Sequence, residues 1–368
     1  MPEKLHVTFI IFSLGSGGAE RVISVLAREF VLLGYEVDIV LISNRHVYYE
    51  LPQDVHLIYL DCELDGKLGA CRRYLRRIRK IRCSIAKLSP DVVISFMAET
   101  NIDTCLALFG KKTPIIVSER NDPKVDPNNR IKKIMRYFAY FKPVGFVFQT
   151  NQAKLYFSNR FRIQKRSKII MNPLSSSVPP AFFGVRDNRI VSVGRLNPQK
   201  NFPLLIAAFE EFSSIYKDFI LEIYGEGILE NELKQMINER GLENKVFLKG
   251  FQKDVHEKIK SASLFVMTSD FEGMPNALIE AMAVGLPCIS TDCPCGGPQM
   301  LISNNINGVL IPVGDCTALL KSMQYLIDNK FVASNIGKEA SKIRNLTSAS
   351  IVAKEWRDFI CKQLEMHG

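Results

Sequence analysis

The chain has 368 residues, of which 47% are hydrophobic and 23% are charged, and these values are typical of a globular protein with two or three domains. No apolar run approaches the roughly 20 residues of a membrane-spanning helix, which excludes an integral membrane protein with apolar helices. The start of the chain reads as a strand, not as a signal peptide. Nine scattered cysteines and five histidines favour a cytoplasmic protein with reduced thiols.

The net charge of +10 is unevenly distributed along the chain. Residues 1–170 hold 28 Lys and Arg against 16 Asp and Glu, a charge of +12, and the remaining residues carry −2. The first half is therefore expected to meet something anionic, such as a membrane surface, a phosphorylated substrate or a nucleic acid.

Short apolar runs, most of them separated by helical patterns, predict six strands in the first half of the chain. They are residues 7–12, 36–41, 56–60, 92–96, 114–118 and 145–149. Such alternation predicts a parallel sheet that is covered by helices on both faces.

A glycine-rich loop follows the first predicted strand and opens a helix. Gly15, Gly17 and Gly18 would let backbone N–H groups approach a phosphate there. Glu20 occupies the place of the last glycine in the dinucleotide-binding pattern, so that fingerprint fails. By itself the loop is equally compatible with a tight turn.

Two basic amphipathic segments lie in the first half. Residues 66–90 contain nine basic and no acidic residues, with apolar residues at helical spacing. Residues 128–143 combine aromatic and aliphatic residues with Lys and Arg. Both segments favour an anionic membrane surface, although the apolar stripe of the first could instead pack against the sheet.

Six further strands are predicted in the second half, after a Ser- and Pro-rich join at 171–184. They are residues 190–193, 219–224, 246–249, 264–267, 288–291 and 309–312. We therefore expect two doubly wound domains, with residues 1–172 in the first and 173–349 in the second. Ligands of such sheets bind at the carboxyl ends of the strands, so the cleft between the domains is the expected site.

The loop after the first strand of the second domain carries two cations, Arg195 and Lys200. Arg binds a phosphate with a two-pronged fork, and Lys binds it as a point charge. Together they could stabilise a leaving diphosphate without a metal. The alternative is that both are solvated loop residues.

The stretch 269–287 has a carboxylate in a loop, Glu272, and a second on the following helix, Glu280. Pro275 fits the first turn of this helix, and the helix start attracts an anion. A diphosphate held there would have one carboxylate on each side. That arrangement suits a ribose at one end of the diphosphate and a transferable sugar at the other. Solvated glutamates on a surface helix are the alternative.

With these segments in place, the chain resembles the family 4 retaining glycosyltransferases of the GT-B fold over nearly its whole length. The motifs are GSGGAER (15–21), SVGRLNPQKNF (192–202), EIYGEG (222–227), VFLKGF (246–251) and SDFEGMPNALIEAMAVGLPCIST (269–291). The resemblance is strongest to bacterial N-acetylgalactosaminyl- and galactosyltransferases that assemble lipid-linked glycans such as O-antigen.

The resemblance implies an α/β, GT-B protein of two Rossmann-like doubly wound domains facing a central cleft, with a final helix at about 350–368 that crosses back onto the first domain. It implies that Arg195 and Lys200 hold the diphosphate, Glu280 the ribose and Glu272 the donor sugar. It further assigns to the donor site, through their backbone or position, Gly15, Gly17, Gly18, Lys249, Gly250, Phe251, Gly273, Met274, Pro275, Asn276, Ala277 and Leu278.

The partners implied are a UDP-sugar, a polyprenyl-diphosphate-linked acceptor and, through residues 66–90 and 128–143, the inner face of the plasma membrane. No metal or other cofactor and no nucleic acid is expected. Arg120 stands where many relatives carry a His. Arg cannot accept a proton, so a phosphate or hydroxyl clamp is the role left to it.

Two other functions stay open at this stage. A sugar-nucleotide epimerase can share the fold, although its usual acid/base residues are not evident and it needs no basic amphipathic face. A basic nucleic-acid-binding protein would use the first half, although no helix-turn-helix or aromatic strand motif supports it.

Overall fold

β-branched and aromatic runs form two separate parallel sheets in the computed structural model, which describes residues 4–15, 17–44, 46–62, 69–161 and 163–367. The chain divides into two compact units. The first comprises Met1–Pro173 and Ser348–Gly368, and the second comprises Leu174–Thr347.

The first unit is built on a seven-stranded sheet in the order β3-β2-β1-β4-β5-β6-β7, and every neighbouring pair is parallel. The strands are β1 (His6–Ile11), β2 (Glu36–Leu41), β3 (Val55–Tyr59), β4 (Val92–Phe96), β5 (Ile115–Ser118), β6 (Gly145–Phe148) and β7 (Ser167–Ile169). The order reverses direction between β1 and β4, as in other doubly wound sheets.

Helices cover this sheet. They are α1 (Gly18–Leu32), α2 (Ala70–Leu88), α3 (Ala98–Ala107), α4 (Arg130–Ala139), α5 (Asn151–Phe161) and α14 (Ala349–His367). Helix α14 packs beside α1, and its Trp356 is fully buried and stacks on Phe96 with the ring centroids 5.8 Å apart. The end of the chain therefore completes the core of the first unit.

The second unit has a six-stranded parallel sheet in the order β10-β9-β8-β11-β12-β13. Its strands are β8 (Asp187–Val193), β9 (Ile220–Tyr224), β10 (Val246–Leu248), β11 (Ala262–Met267), β12 (Cys288–Thr291) and β13 (Val309–Ile311). Its helices are α6 (Phe202–Ile215), α7 (Glu230–Glu239), α8 (Val255–Ile259), α9 (Asn276–Ala283), α10 (Gly297–Leu301), α11 (Cys316–Asp328), α12 (Lys330–Ser341) and α13 (Arg344–Thr347).

All twelve strands predicted from the sequence are present, with ends shifted by at most three residues. β7 was not predicted, because its three residues are polar or only partly buried and show no apolar run. The position of Pro275 is corrected by one residue, since it is the N-cap of α9 and Asn276 begins the helix. Among the described residues, no helix is long and apolar enough to span a membrane.

Candidate functional site

The carboxyl end of β8 presents a cation. β8 ends at Val193, and after Gly194 the exposed side chain of Arg195 makes no hydrogen bond or ion pair with any residue that the structure describes. The end of the neighbouring strand β9 lies close to Gly194. A Cβ on Gly225, which has φ +139°, would lie 2.0 Å from the carbonyl oxygen of Gly194, so only glycine fits there.

Lys200 and Glu272 form a largely buried ion pair at the same edge of the sheet. Their side chains are 15% and 9% exposed. The Ser269 hydroxyl also donates to Glu272, at 2.8 Å. The aliphatic part of Lys200 passes beside Gly194, where a Cβ would lie 3.1 Å from its Cε. The predicted diphosphate-binding cation and the predicted sugar-binding carboxylate are therefore in direct contact.

The loop from Gly273 leads into the start of α9. A Cβ on Gly297, the first residue of α10, would lie only 1.6 Å from the carbonyl oxygen of Gly273, so a glycine is required where α10 meets this loop. The first hydrogen bond of the helix runs from Ile279 N–H to Pro275, at 3.2 Å. The N–H groups of Ala277 and Leu278, the predicted phosphate donors, precede it and belong to the unsatisfied first turn of a helix.

Glu280 lies within α9 and is 5% exposed. Its Oε2 is 2.9 Å from Nε2 of His256, a residue on α8 that is 6% exposed. This histidine was not predicted from the sequence, because 24 residues separate it from Glu280 and no spacing pattern joins them.

The segment predicted to contact the base follows β10. The ammonium group of Lys249 is 3.3 Å from Glu222, and Gly250, at φ +64°, accepts a hydrogen bond from Gly225 N–H at 2.9 Å. Phe251 N–H donates to the carboxylate of Glu226. These contacts join the loop after β10 to the loop after β9.

The predicted donor residues of the second unit thus follow three strands, β10, β8 and β11, which lie with β9 in the order β10, β9, β8, β11. Because these strands are parallel, their carboxyl ends meet at one edge. Among the charged residues of the prediction, Lys200 and Glu272 touch one another directly. In chemical terms this edge offers an exposed cation, Arg195, two cations paired with carboxylates, Lys200 and Lys249, and the start of α9, with the buried carboxylates Glu272 and Glu280 beside it.

In the first unit, the glycine loop leads into α1. Gly17 is the N-cap with extended backbone, and its carbonyl oxygen accepts a hydrogen bond from the Tyr49 hydroxyl at 3.2 Å. Gly18 is the first residue of α1, and Gly15 lies just beyond β1. Residue 16 is outside the described residues.

Arg120 follows β5 and is 9% exposed. Its guanidinium lies 4.1 Å from the ring centroid of Phe96, and Nη1 donates to Asn172 at 2.8 Å. Nε and Nη2 have no hydrogen-bond partner among the described residues. Burial lowers the pKa of Arg120 to about 9, so it remains protonated at neutral pH.

Two polar residues beside Arg120 were not predicted from the sequence. Gln149 follows β6, and its side-chain amide donates to the same oxygen of Asn172, which lies beyond β7. The three side chains therefore come from the ends of three neighbouring strands. Next to Arg120, burial raises the pKa of Glu119 to about 7, and its carboxylate accepts a hydrogen bond from the Tyr140 hydroxyl.

The basic helix α2 turns the later part of its apolar stripe inward, since Ile81 and Ile85 are buried. Some of its basic residues also bind protein groups. Arg77 pairs with Asp103 at 3.0 Å, and Lys80 donates to the carbonyl oxygen of Leu60 at 2.6 Å. The first three residues of the predicted segment, 66–68, lie outside the described residues.

Helix α4 turns its apolar stripe outward. Three apolar residues of the helix, and Phe141 two residues beyond its end, are each at least 60% exposed; the three are Ile131, Ile134 and Phe138. Met135, the remaining residue of the predicted stripe, is half-buried. Asn129 caps the helix by accepting hydrogen bonds from two N–H groups of the first turn. Arg136 does not contribute an exposed charge to this helix, because it is buried and donates to the carbonyl oxygens of Pro123 and Asp126.

No group of three or more His, Cys, Asp or Glu side chains among the described residues is arranged to hold a metal ion.

Comparison with known proteins gives matches over both halves. A family model described as Glycosyltransferase Family 4 matches residues 16–177, and one described as Glycosyl transferases group 1 matches residues 180–343.

Two curated relatives are from Campylobacter jejuni. The chain is 28% identical over 343 residues to N-acetylgalactosamine-N,N'-diacetylbacillosaminyl-diphospho-undecaprenol 4-alpha-N-acetylgalactosaminyltransferase, covering 89% of this chain and 91% of the relative. It is 26% identical over 363 residues to GalNAc-alpha-(1->4)-GalNAc-alpha-(1->3)-diNAcBac-PP-undecaprenol alpha-1,4-N-acetyl-D-galactosaminyltransferase, covering 97% and 99%.

Among solved structures, a mutant of S. aureus TarM in complex with fondaparinux, alpha-GlcNAc-glycerol and UDP superposes with a TM-score of 0.80. The two proteins are 15% identical, and the match covers 97% of this chain and 99% of TarM. At this identity the likeness shows the fold, which is the GT-B arrangement of two parallel-sheet α/β domains that the sequence predicts.

Proposed function

The chain belongs to the family 4 glycosyltransferases, and from this premise we propose that it moves a hexose or N-acetylhexosamine from a UDP-sugar to a polyprenyl-diphosphate-linked glycan. We further propose that transfer retains the configuration of the sugar and needs no metal. The product would serve bacterial surface polysaccharide or glycoprotein glycan assembly.

The observation that carries the proposal is the edge of the second sheet, where Lys200 pairs with Glu272 in the loop that leads to α9 and Arg195 follows the neighbouring strand β8. Two cations and a helix start suit a diphosphate. Charge stabilisation of the leaving diphosphate is the main requirement of the reaction, and Arg195 and Lys200 supply positive charge. Glu280 would accept hydrogen bonds from the ribose, and Glu272 from the donor sugar.

The acceptor assignment is supported by the relatives, since both Campylobacter proteins are named as transferases for undecaprenol-linked glycans. On the protein side, Arg120 has two buried N–H groups without a partner among the described residues. We propose that it clamps a phosphate or hydroxyl oxygen during the reaction. Its charge excludes a role as general base.

We propose that the protein binds peripherally to an anionic membrane through α4, with α2 adding positive charge. The support is that the two helices differ in how far their apolar stripes are exposed. The stripe of α4 faces outward beside Lys132 and Lys133, whereas the buried part of the stripe of α2 is already used for packing. Apolar insertion with adjacent lysines is typical of interfacial helices. Neither an epimerase nor a nucleic-acid-binding protein is favoured, since both relatives are named as transferases.

The test is a panel of UDP-sugars offered with a polyprenyl-diphosphate-linked glycan and scored by released UDP, with and without excess EDTA. We expect one donor to be consumed, activity to persist in EDTA, and NMR of the product to show the donor's anomeric configuration. Arg195→Ala is the loss-of-function arm, and Glu232→Gln on α7 is the matched control because that carboxylate is exposed. Consumption of no donor, or product with inverted configuration, would contradict the proposal.

A further inference from the structure

The contact between His256 and Glu280 has no part in the function proposed so far. Nε2 of His256 lies 2.9 Å from Oε2 of Glu280, and the two residues are 6% and 5% exposed. They lie on α8 and α9, two helices that pack against each other. The contact is therefore a buried polar pair inside the second unit.

A hydrogen bond from the imidazole to the carboxylate explains why this pair is stable when buried. A buried carboxylate is costly unless it accepts hydrogen bonds. The imidazole Nε2–H can donate one, whether the ring is neutral with its proton on Nε2 or is positively charged. This bond fixes the rotation of the carboxylate, which offers about four acceptor positions and can accept further hydrogen bonds.

We infer that His256 is a positioning residue that holds Glu280 in the orientation needed to bind the vicinal diol of a nucleoside diphosphate. The inference rests on the proposed function, in which Glu280 binds the ribose. His256 itself need not touch the nucleotide. Its helix begins four residues after Phe251, so the pair also links the segment proposed to contact the base with the carboxylate proposed to contact the ribose.

The location predicts a specific kinetic pattern. The ribose lies away from the bond that breaks, so its binding contributes equally to the ground state and the transition state. Loss of the His256 hydrogen bond should therefore raise the KM for the donor and the Kd for UDP, and leave kcat nearly unchanged. A pair that merely supports the packing of α8 on α9 would lower thermal stability without this pattern.

The experiment is calorimetric titration of the full chain with UDP. The variants are His256→Leu, His256→Gln, Glu280→Gln and the double variant His256→Leu with Glu280→Gln. Glu257→Gln is the control, because Glu257 is the next residue on α8 and is exposed. Gln can place a side-chain N–H near the position of Nε2, whereas Leu removes the donor and keeps similar bulk.

We expect His256→Leu to bind UDP about tenfold more weakly, since a buried acceptor loses its donor. We expect His256→Gln to remain within about threefold of the wild type on the same basis. In the Glu280→Gln background, His256→Leu should have little further effect, because it acts through that carboxylate.

Each contrary result has a distinct meaning. If Glu280→Gln weakens UDP binding and a folded His256→Leu binds as the wild type does, the positioning role is wrong and the proposed function stands. If His256→Gln and His256→Leu lose equal affinity while their melting temperatures are unchanged, the hydrogen bond is not the cause and the inference fails. If Glu280→Gln binds UDP normally, the ribose assignment fails and the inference fails with it.

Discussion

Replacing Glu272 by Gln should strengthen UDP binding while weakening transfer. The ammonium group of Lys200 is paired with Glu272, which also accepts a hydrogen bond from Ser269. An incoming diphosphate must share this cation with a carboxylate of its own sign. Glutamine keeps the shape and the acceptor oxygen but removes the competing charge. Lys200 then becomes a better partner for the diphosphate.

The size of the effect follows from the exposure of the pair. A hydrogen bond to a charged group is about twice as strong as a neutral one, whose net value is about 1 kcal/mol. Removing the charge therefore weakens the contact between Lys200 and residue 272 by about 1 kcal/mol. A diphosphate that binds Lys200 gains this amount, which corresponds to roughly fivefold tighter binding of UDP. The side chains are only 15% and 9% exposed, so added salt should change this gain little. Turnover should fall about tenfold or more, because the donor sugar loses a charged acceptor.

Calorimetry with UDP on the wild type, Glu272→Gln and the exposed-carboxylate control Glu232→Gln measures the gain. Transfer is followed with the donor that the UDP-sugar panel identifies. If Glu272→Gln binds UDP as weakly as the wild type or more weakly, then the pair does not compete with the diphosphate. In that case Lys200 does not hold the diphosphate in the way proposed here.

Three further predictions follow from burial and charge. Arg195→Ala should lower turnover about 10²- to 10³-fold without changing the urea unfolding curve. Lys200→Ala should in addition lower the free energy of unfolding by about 3 kcal/mol, because the buried carboxylate of Glu272 loses its cation. Equal stability of the two variants would contradict this. Replacing Ile134 and Phe138 by Ser should release the protein from anionic vesicles more than reversing exposed charges on α2 does, and sedimentation with vesicles tests the order of the two effects. Burial raises the pKa of Glu119 to about 7, so the folded protein holds a proton that the unfolded chain has released; stability should fall as the pH rises from about 4.5 to 7, and Glu119→Gln should flatten that slope in urea unfolding curves.

The two sheets could be predicted because most of their strands are covered on both faces. A strand buried on both sides reads as a continuous apolar run, and twelve such runs were found in the sequence. β7 has three residues at the edge of its sheet and only partial burial, so it carries no such signal. The element types and their alternation were thus encoded locally.

The direction of the two amphipathic stripes was not encoded locally. Segments 66–90 and 128–143 both show apolar residues at helical spacing among basic residues. One stripe is partly buried by the protein itself and the other is exposed. Periodicity gives the existence of a stripe, but the elements that surround a helix decide what covers it.

For the site, the sequence by itself determined that charged residues follow two predicted strands, namely Arg195, Lys200 and Glu272, and that Glu280 lies on the next helix. Only the tertiary structure decided how they are paired. Lys200 meets Glu272 across 72 residues, because β8 lies next to β11 although two other strands separate them along the chain. His256 meets Glu280 because α8 packs on α9. Such contacts depend on the order of strands and the packing of helices, and neither is written in the spacing of residues within one segment.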